Sequence, residues 1–299
     1  MDIGNDQNER LKGSLYGALS FTFWGIVPLY WKFVQHISSL ELLLHRVFWG
    51  VLTILALFLF NKNLKDKLVL FVTDKRRQKQ FFLILLSSVL IGLNWFTYVY
   101  AVNTNHIIEA SFGYFVNPIF NIFIGRIFFK EEIKGLKIIA VLFTMIAICT
   151  LFYFWDLQSL WISFLLLFTF GSYGALKKYL KLDSLITLFF EMLIVLLCLL
   201  GWFLFTANNI AFIDSTLKIK LYLVLAGPVT IIPLLLFNLG VARTKLSTIG
   251  MLQYIAPTLQ FLIGVFIYSE VMNVQRLAPF VLIWLAICLY LWEDYKRYE

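Results

Sequence analysis

Long runs of apolar residues, separated by short polar segments, are the first pattern along this chain of 299 residues. The first run, residues 13–34, would extend about 33 Å as an α-helix, close to the ~30 Å hydrocarbon core of a bilayer. Nine similar runs follow at 40–60, 81–101, 107–129, 134–154, 158–178, 184–205, 218–240, 247–268 and 276–292. They are solidly apolar and do not alternate, which favours helices over barrel strands. The pattern predicts an all-α integral membrane protein with ten transmembrane helices.

The segments outside these runs are too short to form soluble domains. Residues 1–12 and 293–299 are expected to be short tails. Composition agrees, because 61% of the residues are hydrophobic and only 14% are charged, whereas soluble domains carry roughly 25% charged residues. Water is therefore not the main solvent of this chain.

The net charge of +8 raises the question of nucleic acid, but its placement indicates a membrane. With the N-terminus placed in the cytoplasm, the inside connections carry 20 Lys and Arg and the outside connections carry 4. This bias follows the positive-inside rule and predicts that both termini are cytoplasmic. The charged stretch 62–79 is expected to be a solvated cytoplasmic connection, and no nucleic-acid partner is expected.

A shift of 139 residues places segment 101–118 over segment 240–257 and brings the fourth and ninth runs into register. The matched positions are Pro118 and Pro257, Asn121 and Gln260, Gly125 and Gly264, and Glu131 and Glu270. We therefore predict two repeats, residues 13–154 and 158–292, of five spans each. An odd number of spans makes the second repeat enter the membrane from the opposite side, a common design in secondary transporters.

The fourth and ninth runs each carry a stripe of small and polar residues spaced by three and four positions, which keeps them on one helical face. The stripes are Ser111, Tyr114, Pro118, Asn121 and Gly125 in one run, and Gly250, Gln253, Pro257, Gln260 and Gly264 in the other. Each proline frees a backbone carbonyl and is expected to act as a hinge or kink. The stripes are interpreted as walls of a central cavity; close packing with amides bonded between helices is the alternative.

Ionisable side chains inside membrane spans are costly and are treated as functional candidates. His45 and Arg46 lie in the second run and Glu191 lies in the seventh. Arg46 could also reach outward to the membrane interface. Glu191 could pair with a cation or titrate with a raised pKa, so it is the candidate for proton coupling.

Aromatic residues accompany an amide in the third run, where Asn94, Trp95 and Tyr98 share a face. Together with Trp24 they suit a planar or amino-bearing solute, although aromatic packing explains them equally well. Motifs for ATP binding, for zinc proteases and for serine hydrolases are absent from the sequence. We therefore expect no enzyme activity, no catalytic residues, no cofactor and no metal.

Several motifs together resemble the RarD branch of the EamA-type drug/metabolite transporters. They are His45-Arg46-Val47-x-Trp49, Asn94-Trp95, the segment 109–118 and Gln253-Tyr254-Ile255-x-Pro257-Thr258. The resemblance covers about residues 11–292. It implies ten helices in two inverted repeats around a central cavity, and the movement of small metabolites or drugs across the bacterial inner membrane.

From the sequence we hypothesise that the protein is a permease that works by alternating access. Export is the favoured direction of transport. The polar wall would comprise Tyr114, Asn117, Asn121, Gln253, Tyr254 and Gln260. Arg46 and His45 would attract an anionic group, and Trp24, Trp95 and Tyr98 would stack on the solute. Alternatives are an uptake carrier or exchanger for a cofactor-like or amino-acid-like solute, and a membrane scaffold without transport. A homodimer is a further possibility, and the substrate and coupling ion stay open.

Overall fold

The computed structural model describes residues 3–74, 78–104, 106–154, 160–180, 182–206, 211–267 and 274–296. Its α-helices are α1 (Ile3–Trp31), α2 (Ser39–Phe60), α3 (Lys62–Thr73), α4 (Gln78–Asn103), α5 (Ile107–Phe128), α6 (Leu136–Phe154), α7 (Leu160–Leu180), α8 (Ser184–Thr206), α9 (Ala211–Asp214), α10 (Leu217–Arg243), α11 (Leu246–Gln253), α12 (Ile255–Phe266) and α13 (Val274–Lys296). A short 3-10 helix, Lys32–Val34, extends α1.

Each predicted run coincides with helical structure, and the run 247–268 is divided between α11 and α12. Seven stretches in the described residues are long and apolar enough to cross a membrane: Ser39–Phe60, Lys79–Ala101, Leu136–Tyr153, Leu160–Leu180, Ser184–Phe203, Leu217–Arg243 and Leu246–Ile263. The prediction of an all-α, multi-pass membrane protein is confirmed. The count of ten crossings stays a prediction.

The stretch 62–79 differs from its expected form, because residues 62–73 fold into helix α3. Asn61 starts this helix by accepting a hydrogen bond from the backbone N–H of Leu64 at 3.2 Å, as N-cap residues do. The side chain of Phe71 is buried against the rings of Phe81 and Phe190. One face of α3 is therefore packed against the bundle.

The helix contacts come in pairs that the predicted repeat would exchange. Helix α1 packs on α10 as α7 packs on α4, and α2 packs on α10 as α8 packs on α4. Helix α5 contacts α7 as α12 contacts α1, while α5 meets α11 and α6 meets α13. The repeat boundaries at 13–154 and 158–292 stay predictions, and Glu270, the repeat partner of Glu131, lies outside the described residues.

The two ends of the bundle are marked by different contacts. At the end where α1 begins and α13 finishes, here called the terminal face, Arg243 Nε lies 3.2 Å from Glu9. At the other end, here called the opposite face, Glu41 accepts a hydrogen bond of 3.0 Å from the backbone N–H of Phe212. The outward sides of the helices between these ends expose large apolar side chains such as Phe164, as expected of a surface in contact with lipid.

Small residues allow the central helices to approach closely. A Cβ atom placed on Gly113 would lie 2.6 Å from the backbone oxygen of Ser163, and one placed on Gly250 would lie 2.9 Å from the backbone oxygen of Pro118. Real Cβ atoms essentially never come nearer than 3.0 Å. Glycine is therefore required where α5 crosses α7 and where α5 crosses α11, as is common in helix pairs within membranes.

Candidate functional site

Aromatic and hydroxyl side chains from helices of both predicted repeats surround Arg46 of α2. The Nε group of Arg46 donates a hydrogen bond of 3.0 Å to the Thr230 hydroxyl on α10. The guanidinium lies 5.0 Å from the centre of the Trp31 ring and 5.9 Å from that of Trp95, within the range of cation–π attraction. No carboxylate pairs with it among the residues that the structure describes.

Two tyrosines lie beside Arg46. The hydroxyl groups of Tyr98 and Tyr114 lie close enough to Arg46 to interact with its charge, and their ring centres are 6.2 Å apart. Tyr98 exposes 41% of its surface. We call Trp31, Arg46, Trp95, Tyr98, Tyr114 and Thr230 the Arg46 recess.

Asn94 is a buried side chain that orients Tyr114. Its side chain is 1% exposed and donates to the Leu166 backbone oxygen at 3.1 Å and to the Thr169 hydroxyl at 2.9 Å. Its carbonyl oxygen accepts a hydrogen bond of 3.0 Å from Tyr114. Asn94 therefore fixes the Tyr114 hydroxyl by joining α4, α5 and α7.

His45 lies next to Arg46 in sequence but faces other residues. Its Nδ1 accepts a hydrogen bond of 3.2 Å from the Trp49 indole, and its Nε2 is 3.7 Å from the Glu41 carboxylate. Its ring lies against Phe212, with 4.9 Å between ring centres. Consecutive helical positions point about 100° apart, so the structure does not bring His45 into the Arg46 recess.

Three amide side chains of the predicted polar wall form a buried seam. Asn121 donates to Asn117 at 2.9 Å and to Gln253 at 3.4 Å, and Asn117 donates to the Leu167 backbone oxygen at 3.1 Å. All three side chains are buried. In this conformation the amide seam (Asn117, Asn121 and Gln253) bonds α5 to α7 and α11, which is the packing alternative.

The two stripe prolines differ in effect. Helix α5 continues through Pro118, and the carbonyl of Tyr114 that this proline leaves unbonded accepts a hydrogen bond of 3.4 Å from Gln253. The ninth run instead breaks at Tyr254, three residues before Pro257. The discontinuity between α11 and α12 therefore lies at membrane depth, where irregular backbone is tolerated when protein surrounds it.

The other candidates lie outside the recess. Tyr254 is fully buried and donates a hydrogen bond of 2.9 Å to the Phe115 backbone oxygen. Trp24 packs against Phe21, Phe170 and Phe237. The amide of Gln260 is exposed and donates to the backbone oxygen of Trp24 at 3.2 Å. A role in solute binding stays a prediction for each of them.

Glu191 forms the centre of a second, fully buried cluster. Its Oε1 accepts from Lys177 at 3.0 Å and from the Ser87 hydroxyl at 2.5 Å, and its Oε2 accepts from Tyr173 at 3.0 Å. Tyr173 also lies 3.2 Å from the carbonyl oxygen of Asn238. Lys177 was one of the 20 basic residues assigned to the inside connections, and the structure corrects this assignment, because the Lys177 side chain is only 4% exposed. We call these residues the Glu191 cluster.

A carboxylate closes the terminal face. Glu131, between α5 and α6, accepts hydrogen bonds from the backbone N–H groups of Leu246 and Ser247 at 2.7 and 2.9 Å, and from the Ser247 hydroxyl at 2.6 Å. Lys178 lies 3.5 Å from the same carboxylate. Glu131 thereby caps the first turn of α11, where free N–H groups and the helix dipole favour an anion.

Sequence reasoning missed four of these contributors. Trp31 and Thr230 show no distinguishing pattern in their runs. Lys177 follows Tyr173 by one helical turn, but nothing in the sequence pairs α7 with Glu191. Glu131 was visible only as one matched position of the repeat.

Comparisons with known proteins agree with this architecture. The profile of the EamA-like transporter family matches residues 11–153. An "Uncharacterized transporter YojE" of Bacillus subtilis is 35% identical over 96% of this chain and 96% of its own length. A "Protein RarD" of Salmonella typhi is 35% identical over 96% of this chain and 97% of its own length.

A solved structure described as "Crystal structure of protein" has a TM-score of 0.74, at 14% identity, and covers 93% of this chain and 96% of that chain. At that identity the likeness shows the fold alone. The full-length relatives and the family profile show more: this chain belongs to the EamA-like transporters, in the RarD branch of the drug/metabolite transporter superfamily.

Proposed function

We propose that this protein is a secondary transporter that moves small metabolites or drugs across the bacterial inner membrane by alternating access. The observation that carries the proposal is the contrast between the two ends of the bundle. The Arg46 recess lies toward the opposite face, near the start of α2 and the end of α4, whereas Glu131 bonds to the start of α11 at the terminal face and the Glu191 cluster is buried on that same side. A charged group near one end of the bundle, with buried polar contacts joining the helices at the other end, is what one state of such a transporter requires.

The recess is built from both predicted repeats, which supports a solute site at their interface. Trp31, Arg46 and Trp95 come from the first repeat, and Thr230 comes from the second. Movement of one repeat against the other would therefore separate Arg46 from Thr230 or bring them together. This gives the solute a different site in each state, as a conformational cycle demands.

Coupling to protons at Glu191 is part of the proposal, and Lys177 adds a condition to it. Both side chains are buried, so protonation of Glu191 alone would leave the ammonium group without its counter-charge in a region of low dielectric. Lys177 lies one turn before the end of α7. Proton uptake at Glu191 would therefore accompany a movement of the Lys177 side chain toward the terminal face.

Flux in proteoliposomes tests both parts of the proposal. Vesicles with purified protein are loaded with a low-molecular-mass metabolite extract, and exchanged compounds are identified by mass spectrometry. The wild-type protein is expected to move a defined subset that protein-free vesicles retain. Glu191→Gln is expected to abolish flux driven by a pH gradient and to preserve counterflow; equal loss of both would contradict the coupling role. Absence of any protein-dependent flux would contradict transport.

The direction of transport follows from a matched pair of cellular assays. Export predicts that cells lacking the gene accumulate the solute, and uptake predicts that they acquire it more slowly from the medium. Both termini are proposed to lie in the cytoplasm, which the bias of basic residues supports. In that orientation the Arg46 recess faces outward.

A further inference from the structure

The charge of Arg46 is not neutralised by the protein in the described part of the chain. Its partners there are the Thr230 hydroxyl, two indole rings and the hydroxyls of two tyrosines. Glu41, the carboxylate nearest to Arg46 in the sequence, faces His45 and Phe212, and the carboxylate of Glu191 is paired with Lys177. An ionised side chain inside a membrane span normally has a partner, so an external anion would complete this site.

The orientation of the guanidinium indicates how that anion would bind. Arginine carries five N–H donors in a planar fork. The Nε donor is directed to Thr230 at 3.0 Å, and the ring faces of Trp31 and Trp95 cover the guanidinium. What stays available is the end-on edge formed by the two terminal nitrogens, Nη1 and Nη2. That edge matches the two oxygens of a carboxylate or phosphate, which it binds with two parallel hydrogen bonds.

We infer that the Arg46 recess selects solutes that carry an anionic oxygen group, a carboxylate or a phosphate. Thr230 determines this specificity, because its bond to Nε orients the guanidinium so that Nη1 and Nη2 face the anion. The inference rests on the proposed transport function and names the solute class for it. Tyr98, with 41% of its surface exposed, would contact the part of the solute next to the anionic group. Trp31 and Trp95 serve to hold Arg46, which assigns Trp95 to positioning the guanidinium.

Affinity selection with matched probes tests this inference. Protein in phosphatidylcholine nanodiscs is incubated with pairs that differ only in charge, such as small aromatic and aliphatic carboxylates with their primary amides and phosphate monoesters with their parent alcohols. Bound compounds are counted by mass spectrometry. The wild-type protein is expected to retain the acids at least tenfold better than the uncharged partners, because charge-assisted bonds of this kind shift binding by about ten- to a hundredfold.

Substitutions at Arg46 and Thr230 distinguish recognition by the two terminal guanidinium nitrogens from attraction by positive charge alone. Arg46→Gln is expected to lose the preference for acids, and Arg46→Lys, which keeps the charge without the fork, to retain a small part of it. Thr230→Val keeps the charge and loses the Nε partner, so the preference should fall several-fold while the protein stays monodisperse. Arg243→Gln is the matched control at the terminal face, where Arg243 pairs with Glu9, and it should retain the full preference.

Three results would overturn the inference: equal retention of acids and amides by the wild-type protein, an unchanged acid preference in Arg46→Gln, or retention of no probe. The outcome is separate from that of the proposed function. Protein-dependent flux of only uncharged compounds would leave transport standing and remove the anionic class. Acids that bind through Arg46 but are never moved in proteoliposomes would leave the site standing and remove transport.

A lipid headgroup offers the same phosphate chemistry as a soluble solute. Adding phosphatidylglycerol to the nanodiscs distinguishes the two sources. If the headgroup occupies the recess, retention of the acids falls as the phosphatidylglycerol fraction rises, and native mass spectrometry shows bound phosphatidylglycerol on the wild-type protein and not on Arg46→Gln. If a soluble anion is the occupant, retention of the acids is independent of the lipid.

Discussion

Substitution of Glu131 tests the closure of the terminal face, because this one side chain joins the connection after α5 to the start of α11. Its two oxygens receive the Leu246 and Ser247 backbone N–H groups and the Ser247 hydroxyl at 2.6–2.9 Å. Glu131 is only 7% exposed, so water does not readily replace these bonds. Glu131→Gln keeps the size of the side chain and removes its charge and one of its two acceptor oxygens.

The expected cost can be estimated from those contacts. A hydrogen bond to a charged group contributes about 1.5–3 kcal/mol net, and a buried donor left without an acceptor costs about 1–3 kcal/mol. Since the surrounding backbone can relax in part, we expect the first turn of α11 to be destabilised by about 2–4 kcal/mol. At about 1.4 kcal/mol per factor of ten, local opening would become roughly 30- to 700-fold more frequent.

Hydrogen exchange at the first turn of α11 measures this opening directly. Glu131→Gln should speed the exchange of the Leu246 and Ser247 amides by that factor, with little change in α8. Glu132→Gln is the matched control, because the neighbouring glutamate is 55% exposed and pairs with Lys134. If the two variants exchange alike at α11, the closure that we assign to Glu131 is refuted.

Three further predictions concern unfolding, each measured as thermal stability in one detergent. Gly113→Ala should cost about 1–3 kcal/mol because the added methyl meets the backbone of α7 at 2.6 Å. The control Gly201→Ala should be neutral, since its added methyl meets no atom within 4 Å. Equal effects of the two variants would contradict the close helix crossing. Lys177→Met should cost about 3–5 kcal/mol because it leaves the Glu191 carboxylate buried without its cation, and adding Glu191→Leu should recover much of that loss. Tyr254→Phe should cost about 0.5–1.5 kcal/mol through its lost hydrogen bond to the chain of α5, and an unchanged melting temperature would argue against that bond.

Much of the fold follows from the sequence because bilayer thickness sets the length of an apolar run. The boundaries of α2 illustrate this, since the predicted span 40–60 and the helix Ser39–Phe60 differ by one residue. The stripe spacing likewise placed Tyr114 and Asn121 on one face of α5 and Gln253 on the stripe of the ninth run, and the structure brings the two stripes into contact. Helical periodicity alone predicts which residues share a face.

Periodicity does not say which helix lies opposite that face. The main differences between the sequence predictions and the structure arise at these contacts between helices. Asn121 was expected at a cavity wall, yet α11 approaches it closely enough for a direct bond to Gln253. Glu191 had no cation nearby in sequence, but packing of α7 against α8 brings Lys177 within 3.0 Å. His45 and Arg46 are consecutive in sequence, and helical geometry sends them to different neighbours.

Transport by alternating access requires that, in this conformation, the Arg46 recess can be reached from one side of the membrane and not from the other. In a variant whose native cysteines are replaced, the thiol of Tyr98→Cys is probed with a membrane-impermeant reagent added to either side of sealed vesicles, and a terminal tag reports which side holds the termini. We expect labelling from the side opposite the termini and protection from the terminal side, where the Glu131 contacts and the Glu191 cluster both remain in place. Equal labelling from both sides, or labelling from neither side, would refute one-sided access.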